Sequence, residues 1–310
     1  MIIPTLLALA VDALLHGPLP ETLSDPGAER TRILPEARVL SAEADHQPGA
    51  PREKVETLGP DITAESFVVI DVASGKVLTA RNPSMVRPVA SLTKLLTAKT
   101  VSTGADPDEI VTVGPNALAA ARAGADMDLV RGERLSARNL LAGTLIPSAN
   151  DAAVALAEHI AGTESAFAER MNQVAQELGL TRTHVVNVTG LDNPRHFSSA
   201  YDMALLLKHV WNDPLLGVFL RAEGMDVSSV DGKFVHKLRT TNRLLGERTD
   251  ILAGKTGFTD AAGQSLAVVA ESDESRPVAA VILGSPDRFA EMDALLNWTF
   301  WAYEWPNDAP

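Results

Sequence analysis

The sequence contains no cysteine, so disulfide bonds, thiolate catalysis and cysteine-ligated zinc are excluded together. It is also short of positive charge, because 27 lysine and arginine residues stand against 40 aspartate and glutamate residues, a net charge of -13. Binding to a phosphate backbone depends on basic side chains that displace counterions, so nucleic acid is not an expected partner. The seven histidines lack HExxH-like spacing, and we expect neither a metal nor another cofactor.

Long apolar segments are missing as well. The apolar run Ile2–Leu15 is interrupted by Asp12 and is shorter than the roughly 20 residues that a membrane-spanning helix needs. A secretory signal would carry a basic residue before this run, whereas the first basic residue is Arg30. Residues 1–16 are interpreted either as a partial export signal or anchor with a misassigned start, or as a short amphipathic helix that packs on the domain. Any membrane tether is expected to be N-terminal.

Prolines and charged residues dominate the stretch that follows, so residues 17–61 are predicted to be an extended linker. Residues 62–305 are predicted to form the folded domain, and residues 306–310 a tail. A composition of 45% hydrophobic and 22% charged residues is ordinary for a globular protein, and the length allows a sizeable core.

Hydrophobic spacing predicts strands at both ends of this domain and helices between them. Ser66–Val72 and Lys76–Ala80 are β-rich runs joined by the turn residues Ala73–Gly75, which suits a hairpin. Apolar residues at helical spacing predict helices from Ser91 to about Val101, over Ala137–Leu145, Asn150–Ala161, Ser165–Leu180 and Ala200–Trp211, and from about Arg288 to Trp301. Strand-like runs return at Phe234–Leu238, Gln264–Val269 and Pro277–Leu283. The simplest arrangement is an α/β (α+β) domain whose sheet is assembled from both ends of the chain around a helix-rich block.

A first short motif is the Ser-x-x-Lys of Ser91–Lys94, at the predicted start of a helix. Residues three apart share one helix face, so the lysine amine can take the proton of the serine hydroxyl. For the lysine to act as a base, its ammonium form must be disfavoured by burial or by a neighbouring positive charge. Alone, the motif is more typical of an ordinary surface helix.

Two further motifs follow along the chain. Ser148–Asn150 reads Ser-Ala-Asn after Pro147, and by itself it is typical of a helix N-cap. Lys255–Gly257 reads Lys-Thr-Gly at a predicted strand. A cation and a hydroxyl side by side, with a glycine that allows close backbone approach, suit an anionic ligand lying along the strand. A turn with an incidental lysine is the alternative interpretation.

Each motif occurs once, in the order Ser-x-x-Lys, Ser-x-Asn, Lys-Thr-Gly, which is the set that marks penicillin-binding proteins and serine β-lactamases. The flanking sequence resembles the low-molecular-mass D-Ala-D-Ala carboxypeptidase family in particular, over about Phe67 to Trp301. The segments that carry this resemblance are Pro88–Ala98, Ser148–Ala153, Thr189–Asp192, Ser198–Ala204 and Thr241–Leu245. The resemblance implies a β-lactamase/transpeptidase-like fold, with a central antiparallel sheet flanked by helices and a helix-rich subdomain.

The resemblance also implies the catalytic roles. Ser91 is expected to attack the carbonyl between two D-alanines, Lys94 to take its proton, and Ser148 to relay a proton to the departing amine. Asn150 is expected to bind the amide side of the substrate and to help hold Lys94. Lys255 is expected to lower the pKa of Lys94 and to favour developing negative charge.

Substrate-binding positions follow from the same resemblance. The backbone N–H groups of Ser91 and Phe258 are the expected oxyanion hole, and the Gly257 position allows close backbone approach. Thr256 and Arg288 are the candidates for binding the terminal carboxylate of the substrate, since guanidinium matches carboxylate bidentately. An ordinary helix-start arginine remains the alternative for Arg288, and Thr259 is a further candidate for a substrate contact.

The expected partners are peptidoglycan stem peptides ending in D-Ala-D-Ala, and β-lactam antibiotics, which would acylate the serine. Such a substrate implies a secreted protein that acts outside the cytoplasm. One rival interpretation is a class A-like β-lactamase, but Glu169 has the wrong spacing for its deacylating carboxylate and belongs to an amphipathic helix. The other is a non-catalytic peptidoglycan-binding relative, against which the intact motifs argue.

Overall fold

The computed structural model describes residues 49–54 and 59–306. The predictions for residues 1–16, for most of the linker (17–48 and 55–58) and for tail residues 307–310 lie outside the described residues. At the centre is an antiparallel five-stranded sheet with the order β3-β2-β10-β9-β8. Its strands are β2 (Ser66–Asp71), β3 (Val77–Arg81), β8 (Ile251–Thr259), β9 (Gly263–Glu271) and β10 (Pro277–Ser285). Both ends of the domain therefore build one sheet, as predicted.

Most of the helices come from the chain between the two halves of this sheet. They are α1 (Thr93–Gly104), α2 (Pro115–Ala121), α3 (Ala137–Leu145), α4 (Asn150–Ala161), α5 (Glu164–Glu177), α6 (Ala200–Trp211), α7 (Leu216–Arg221) and α8 (Leu244–Glu247), followed after the sheet by α9 (Arg288–Ala302). Short strands form three further pairs: β1 (Arg52–Glu53) with β11 (Tyr303–Glu304), β4 (Ile110–Thr112) with β5 (Arg134–Ser136), and β6 (Gly224–Ser228) with β7 (Val235–Arg239).

The central sheet is buried on both faces. Along β2, Val68 and Ile70 join a core shared with the helices of the middle of the chain, whereas Phe67 and Val69 join a second core against α9. Successive side chains of a strand point to opposite faces, which explains why these strands are continuous apolar runs and not alternating ones. Each buried aliphatic side chain stabilises the fold by about 1.5–3 kcal/mol.

The chain enters α1 through a tight 3₁₀ turn formed by Ala90–Leu92, so the regular helix begins two residues later than the sequence predicts. Ala90 has a φ of +48°, a left-handed conformation that is unusual for a residue other than glycine. Ser91 therefore lies in a constrained turn, and Lys94 lies in the first turn of the regular helix.

Both termini of the described domain meet on one side of the sheet. Two residues of the predicted linker, Arg52–Glu53, pair with Tyr303–Glu304, and Lys54 Nζ donates to Phe300 O at 3.2 Å. Trp305 is buried and its Nε1 donates to Asp71 Oδ1 at 2.8 Å. Within the described part of the chain, no helix has the length and apolar character to cross a membrane.

Candidate active site

The three sequence motifs meet at a cleft of about 480 Å³ between the helices and the open edge strand β8. Ser91 lies on one side, and Thr256–Asp260 of β8 and the turn after it lie on the other. The remaining walls are the loop Ala123–Ala125, the start of α4 and the loop Thr189–Asp192. Lys94 and Lys255 are buried beside this cleft. The other site residues predicted from the sequence line it: Ser91, Ser148, Asn150, Thr256, Gly257, Phe258 and Arg288.

Lys94 connects the nucleophile to the core of the domain. Its Nζ lies 3.0 Å from Ser91 Oγ, within range for proton transfer. The same amine donates to Asn150 Oδ1 at 2.7 Å and to the carbonyl of Thr189 at 3.0 Å. Because these two acceptors fix the amine, it is held directly beside the serine hydroxyl.

The pKa of Lys94 lies where a base at neutral pH needs it. Burial lowers its pKa from 10.5 to about 7, because the ammonium form loses its hydration, and the negative charge of Asp151 raises the pKa in part. Asp151 is itself buried, and burial raises its pKa, although it accepts hydrogen bonds from the backbone N–H groups of Met127, Leu129 and Ala152. A substantial fraction of Lys94 is therefore neutral near pH 7.

A second buried amine, Lys255, holds the other serine. Its Nζ donates to Ser148 Oγ at 2.7 Å and to Thr256 O at 3.0 Å. Burial lowers the pKa of Lys255, and the positive charges of Lys94 and Arg288 lower it further. Burial is thus the largest cause at both amines, and the lowered pKa of Lys94 follows from burial and not from Lys255, to which the sequence had assigned it.

Ser148 adopts a strained backbone conformation, with a φ of +69°. Such a conformation costs roughly 1–3 kcal/mol for a residue with a side chain and is found preferentially at functional sites. The alternative interpretation of this motif as a helix N-cap is wrong, because α4 has Ala149 at its N-cap and no side-chain cap hydrogen bond. The Ser148 hydroxyl is instead turned toward Lys255.

The loop Asn187–Asp192 is a part of the site to which the sequence analysis gave no role. The Asn187 side chain accepts hydrogen bonds from the backbone N–H groups of Thr189 and Gly190 and so folds the loop on itself. Gly190 has a φ of +86°, and a Cβ there would lie 1.9 Å from Ala90 O. Only glycine lets the loop lie this close to the nucleophile turn. The turn-forming Thr-Gly-Leu-Asp run was the available signal.

Asp192 joins this loop to the far end of β8. Its carboxylate accepts a hydrogen bond from Thr259 Oγ1 at 2.6 Å and one from Ala261 N at 3.3 Å. The Thr259 hydroxyl, a candidate for a substrate contact, is therefore already bonded within the protein. The loop closes one end of the cleft.

The expected oxyanion donors lie where the nucleophile turn meets β8. A Cβ at Gly257 would lie 3.2 Å from Ser91 N and 3.0 Å from Val89 O, so the missing side chain allows the two backbones to approach. The next residue is Phe258, whose side chain is 59% exposed at the mouth of the cleft.

Arg288 is both the first residue of α9 and part of the cleft wall. Its Nη1 donates to Gly257 O at 2.9 Å, which holds the guanidinium against β8 beside Thr256. Thr256 Oγ1 lies 2.5 Å from Thr241 Oγ1. The two groups expected from the sequence to bind the terminal carboxylate, the Thr256 hydroxyl and the Arg288 guanidinium, thus line the same cleft.

Glu169 lies on the exposed surface of α5 and is not among the residues that line the cleft. The cleft contains the carboxylates of Asp192 and Asp260, of which Asp192 is bonded to Thr259 and Ala261. This arrangement agrees with the sequence argument against a class A-like deacylating glutamate.

Comparison with solved structures defines the class as the penicillin-binding and transpeptidase fold. A D-alanyl-D-alanine carboxypeptidase from Mycobacterium tuberculosis H37Rv has a TM-score of 0.74 at 26% identity, over 81% of this chain and 96% of that one. Penicillin binding protein 5 from Haemophilus influenzae has a TM-score of 0.72 at 33% identity, over 78% of this chain and 72% of that one.

The chain belongs to the D-alanyl-D-alanine carboxypeptidase family, whose sequence profile matches residues 53–287. It is 37% identical over 253 residues to D-alanyl-D-alanine carboxypeptidase DacD of Escherichia coli strain K12, a match that covers 77% of this chain and 63% of that protein. It is also 33% identical to a D-alanyl-D-alanine endopeptidase of Pseudomonas aeruginosa PAO1, over 84% of this chain and 83% of that protein. The match therefore spans less than two thirds of the length of the Escherichia coli relative.

Proposed function

We propose that this chain is a serine-type D-alanyl-D-alanine carboxypeptidase, which removes the terminal D-Ala from peptidoglycan stem peptides through an acyl-enzyme and is acylated by β-lactams. The observation that carries the proposal is the fully buried Lys94 amine, 3.0 Å from Ser91 Oγ, with a pKa lowered to about 7. A buried neutral amine beside a serine hydroxyl makes that serine a nucleophile. Family membership supports the substrate.

In the acylation step, Ser91 Oγ attacks the carbonyl carbon of the penultimate D-Ala while Lys94 Nζ accepts the hydroxyl proton. Negative charge then develops on the carbonyl oxygen, where the N–H groups of Ser91 and Phe258 stabilise it. In other serine enzymes, the loss of one such donor costs about 3–4 kcal/mol of transition-state stabilisation. The close packing of Gly257 on the nucleophile turn supports this assignment.

Collapse of the tetrahedral intermediate breaks the C–N bond and releases D-Ala, whose amine must gain a proton. Ser148 Oγ is placed to supply it, since it is bonded to Lys255 Nζ at 2.7 Å and can be reprotonated through the buried amines. Asn150 orients Lys94 and offers its amide to the acyl part of the peptide. Water then hydrolyses the Ser91 ester, and the serine hydroxyl is restored.

The terminal carboxylate of the substrate binds at Arg288 and Thr256, beside the Lys-Thr-Gly strand. Arg288 supplies a guanidinium whose position is fixed by the bond to Gly257 O, and Thr256 supplies a hydroxyl. A leaving group with a free carboxylate is therefore favoured, as a carboxypeptidase requires.

The direct test is mass spectrometry of a cell-wall pentapeptide after incubation with the protein. Loss of one D-Ala is the expected result for the wild type, and an unchanged peptide is expected for Ser91→Ala. A fluorescent penicillin should label the wild type and fail to label this variant. If the penicillin does not label the wild type and the wild type leaves the peptide intact, the protein is a non-catalytic relative and the proposal is wrong.

The rate of deacylation separates this function from a β-lactamase. Because Glu169 is exposed on α5, we expect a long-lived penicilloyl-enzyme. The measurement is turnover of a chromogenic cephalosporin after the initial stoichiometric burst. Many turnovers per second would identify a β-lactamase instead.

A second candidate is cleavage of peptide cross-links, and the Pseudomonas aeruginosa endopeptidase, which this chain matches over most of both lengths, favours it. Cross-link cleavage uses the same acyl-enzyme and differs in the leaving group. Incubation with a cross-linked muropeptide dimer distinguishes the two reactions, since only an endopeptidase releases the two monomers. Either substrate is made outside the cytoplasm, so we infer that the protein acts there.

A further inference from the structure

The segment after β7 reaches the rim of the cleft beside the Lys-Thr-Gly strand. The hydroxyl contact between Thr241 and Thr256, at 2.5 Å, joins the segment to that strand. Asn242 is buried, and a Cβ at Gly254 would lie 2.5 Å from its Nδ2, so a side chain at 254 would push the segment away from β8. The backbone that carries the next residue, Arg243, is therefore held in place.

Arg243 and Arg288 lie over the same aromatic ring. Their guanidinium carbons are 4.5 Å and 5.0 Å from the centroid of Phe289. Arg288 is bonded to Gly257 O, and its Nε is buried without a hydrogen-bond partner among the described residues. Arg243 is mostly exposed, and its ion pair with Glu247 is long, at 3.7 Å. Arg288 thus lines the cleft, and Arg243 lies next to it, outside the lining residues and on the same aromatic ring.

The two guanidinium groups repel each other. Burial lowers the pKa of Arg288, the positive charge of Arg243 lowers it further, and Asp287 raises it in part. A bound anion would relieve this repulsion. The proposed function uses one carboxylate here, at Thr256 and Arg288, which leaves the charge of Arg243 available to a second one.

We propose that Arg243 is a specificity residue that, with Arg288, binds a leaving group carrying a second carboxylate in addition to its terminal one. The inference rests on the proposed function, and the chemical step is the same hydrolysis of an amide bond. D-Glutamate is a small leaving group of this kind, and the acceptor peptide of a cross-linked dimer is a larger one. D-Alanine uses only the first carboxylate position.

The test compares acyl peptides that are identical except for the last residue, ending in D-Ala-D-Glu or in the neutral isostere D-Ala-D-Gln. The measurement is kcat/KM for release of the last residue. The wild type should prefer D-Glu by about three-fold to five-fold, the range of a partly exposed ion pair. Arg243→Gln should bring the ratio close to one.

Two further variants sharpen the comparison. Arg138→Gln is the matched control, since Arg138 is also an exposed arginine in a surface pair, with Asp108 at 3.1 Å, and it should leave the ratio unchanged. Glu247→Gln removes the carboxylate that competes for Arg243, and it should raise the ratio.

A wild type that cleaves both peptides equally, or a preference that survives Arg243→Gln, would overturn the subsite alone. Failure of the wild type to release D-Ala from a peptide ending in D-Ala-D-Ala would overturn the proposed function as well. The two failures are therefore distinguishable.

Discussion

At the residue scale, the proposed mechanism divides proton transfer between two buried lysines. Lys94 contacts Ser91, and Lys255 contacts Ser148, so each amine has its own hydroxyl. Two ammonium groups buried side by side are mutually destabilising, and one neutral amine lowers that cost. The same burial that is unfavourable for a charged lysine therefore favours the neutral amine that the proposed mechanism needs.

The pH dependence of acylation should follow the loss of the proton from the Lys94 ammonium group. Below pH 7 the ammonium form holds its proton and cannot accept the one from Ser91, whereas above pH 7 the neutral amine can. The rate at which a β-lactam acylates the protein should therefore rise with pH, with a midpoint at about pH 7. Stopped-flow measurements from pH 5 to 9 test this, and a midpoint close to that of an ordinary lysine would contradict the assignment.

Replacement of Ser148 should slow acylation without unfolding the protein. Ser148→Ala removes the hydroxyl that Lys255 holds and interrupts proton transfer to the leaving group, so we expect a decrease of about 10²-fold or more in the acylation rate constant. A thermal melt within a few degrees of the wild type serves as the control. An unchanged rate would exclude the relay role.

At the element scale, the loop Asn187–Asp192 links the nucleophile turn to β8. Thr189 O accepts from Lys94, Gly190 lies against Ala90, and Asp192 binds the turn after β8. No strand or helix of the described chain contains this loop, and its internal hydrogen bonds to Asn187 give it its shape. The geometry of the base thus depends on an irregular segment.

Gly190→Ala tests this dependence, with Gly179→Ala as the matched control. Both glycines have positive φ values, +86° and +72°, but a Cβ at 190 would meet Ala90 O whereas one at 179 would meet nothing within 4 Å. Both variants should lose about 1 kcal/mol of stability from the strained conformation, and Gly190→Ala should lose more, because its Cβ clashes with a backbone oxygen. Only Gly190→Ala should also slow acylation, by ten-fold or more, and equal acylation rates would contradict the proposed docking.

The sequence predicted the regular elements of this fold well where apolar periodicity was strong. α3, α4 and α6 have the predicted bounds, and the hairpin of β2 and β3 forms as expected. The short helices α2, α7 and α8 were missed, because segments of four to seven residues contain too few turns to show a period. Propensity also could not reveal the strained φ of Ser148, since tertiary contacts impose it.

The candidate site was predictable as a set of residues and in two of its contacts, Lys94 with Ser91 and Lys94 with Asn150. The three motifs identified Ser91, Lys94, Ser148 and Lys255, and these side chains meet in one cleft. The carbonyl of Thr189 as an acceptor for Lys94 is a backbone group, which sequence motifs do not mark.

At the scale of the whole molecule, the termini of the described domain are joined through buried polar contacts. Asp71 accepts from Ser74 on one oxygen and from Trp305 on the other, so the turn after β2 is tied to the residue that follows β11. Trp305 is buried, whereas Trp301 is 58% exposed.

These two tryptophans make a matched pair for a stability measurement. Trp305→Phe leaves a buried oxygen of Asp71 without its donor, which should lower the free energy of unfolding by about 1–3 kcal/mol. Trp301→Phe changes an exposed ring and should stay within about 0.5 kcal/mol of the wild type. Urea denaturation gives both values, and equal losses would show that the contact with Asp71 contributes nothing.

The assembly of one sheet from both ends of the chain has a consequence for biosynthesis. A ribosome finishes the nucleophile turn long before it makes β8, so the nascent chain carries the serine hydroxyl while Lys255, Gly257 and the second oxyanion donor do not yet exist. In the proposed mechanism the site is therefore complete only once β8 has been made and has folded, so an incomplete chain is not expected to be acylated.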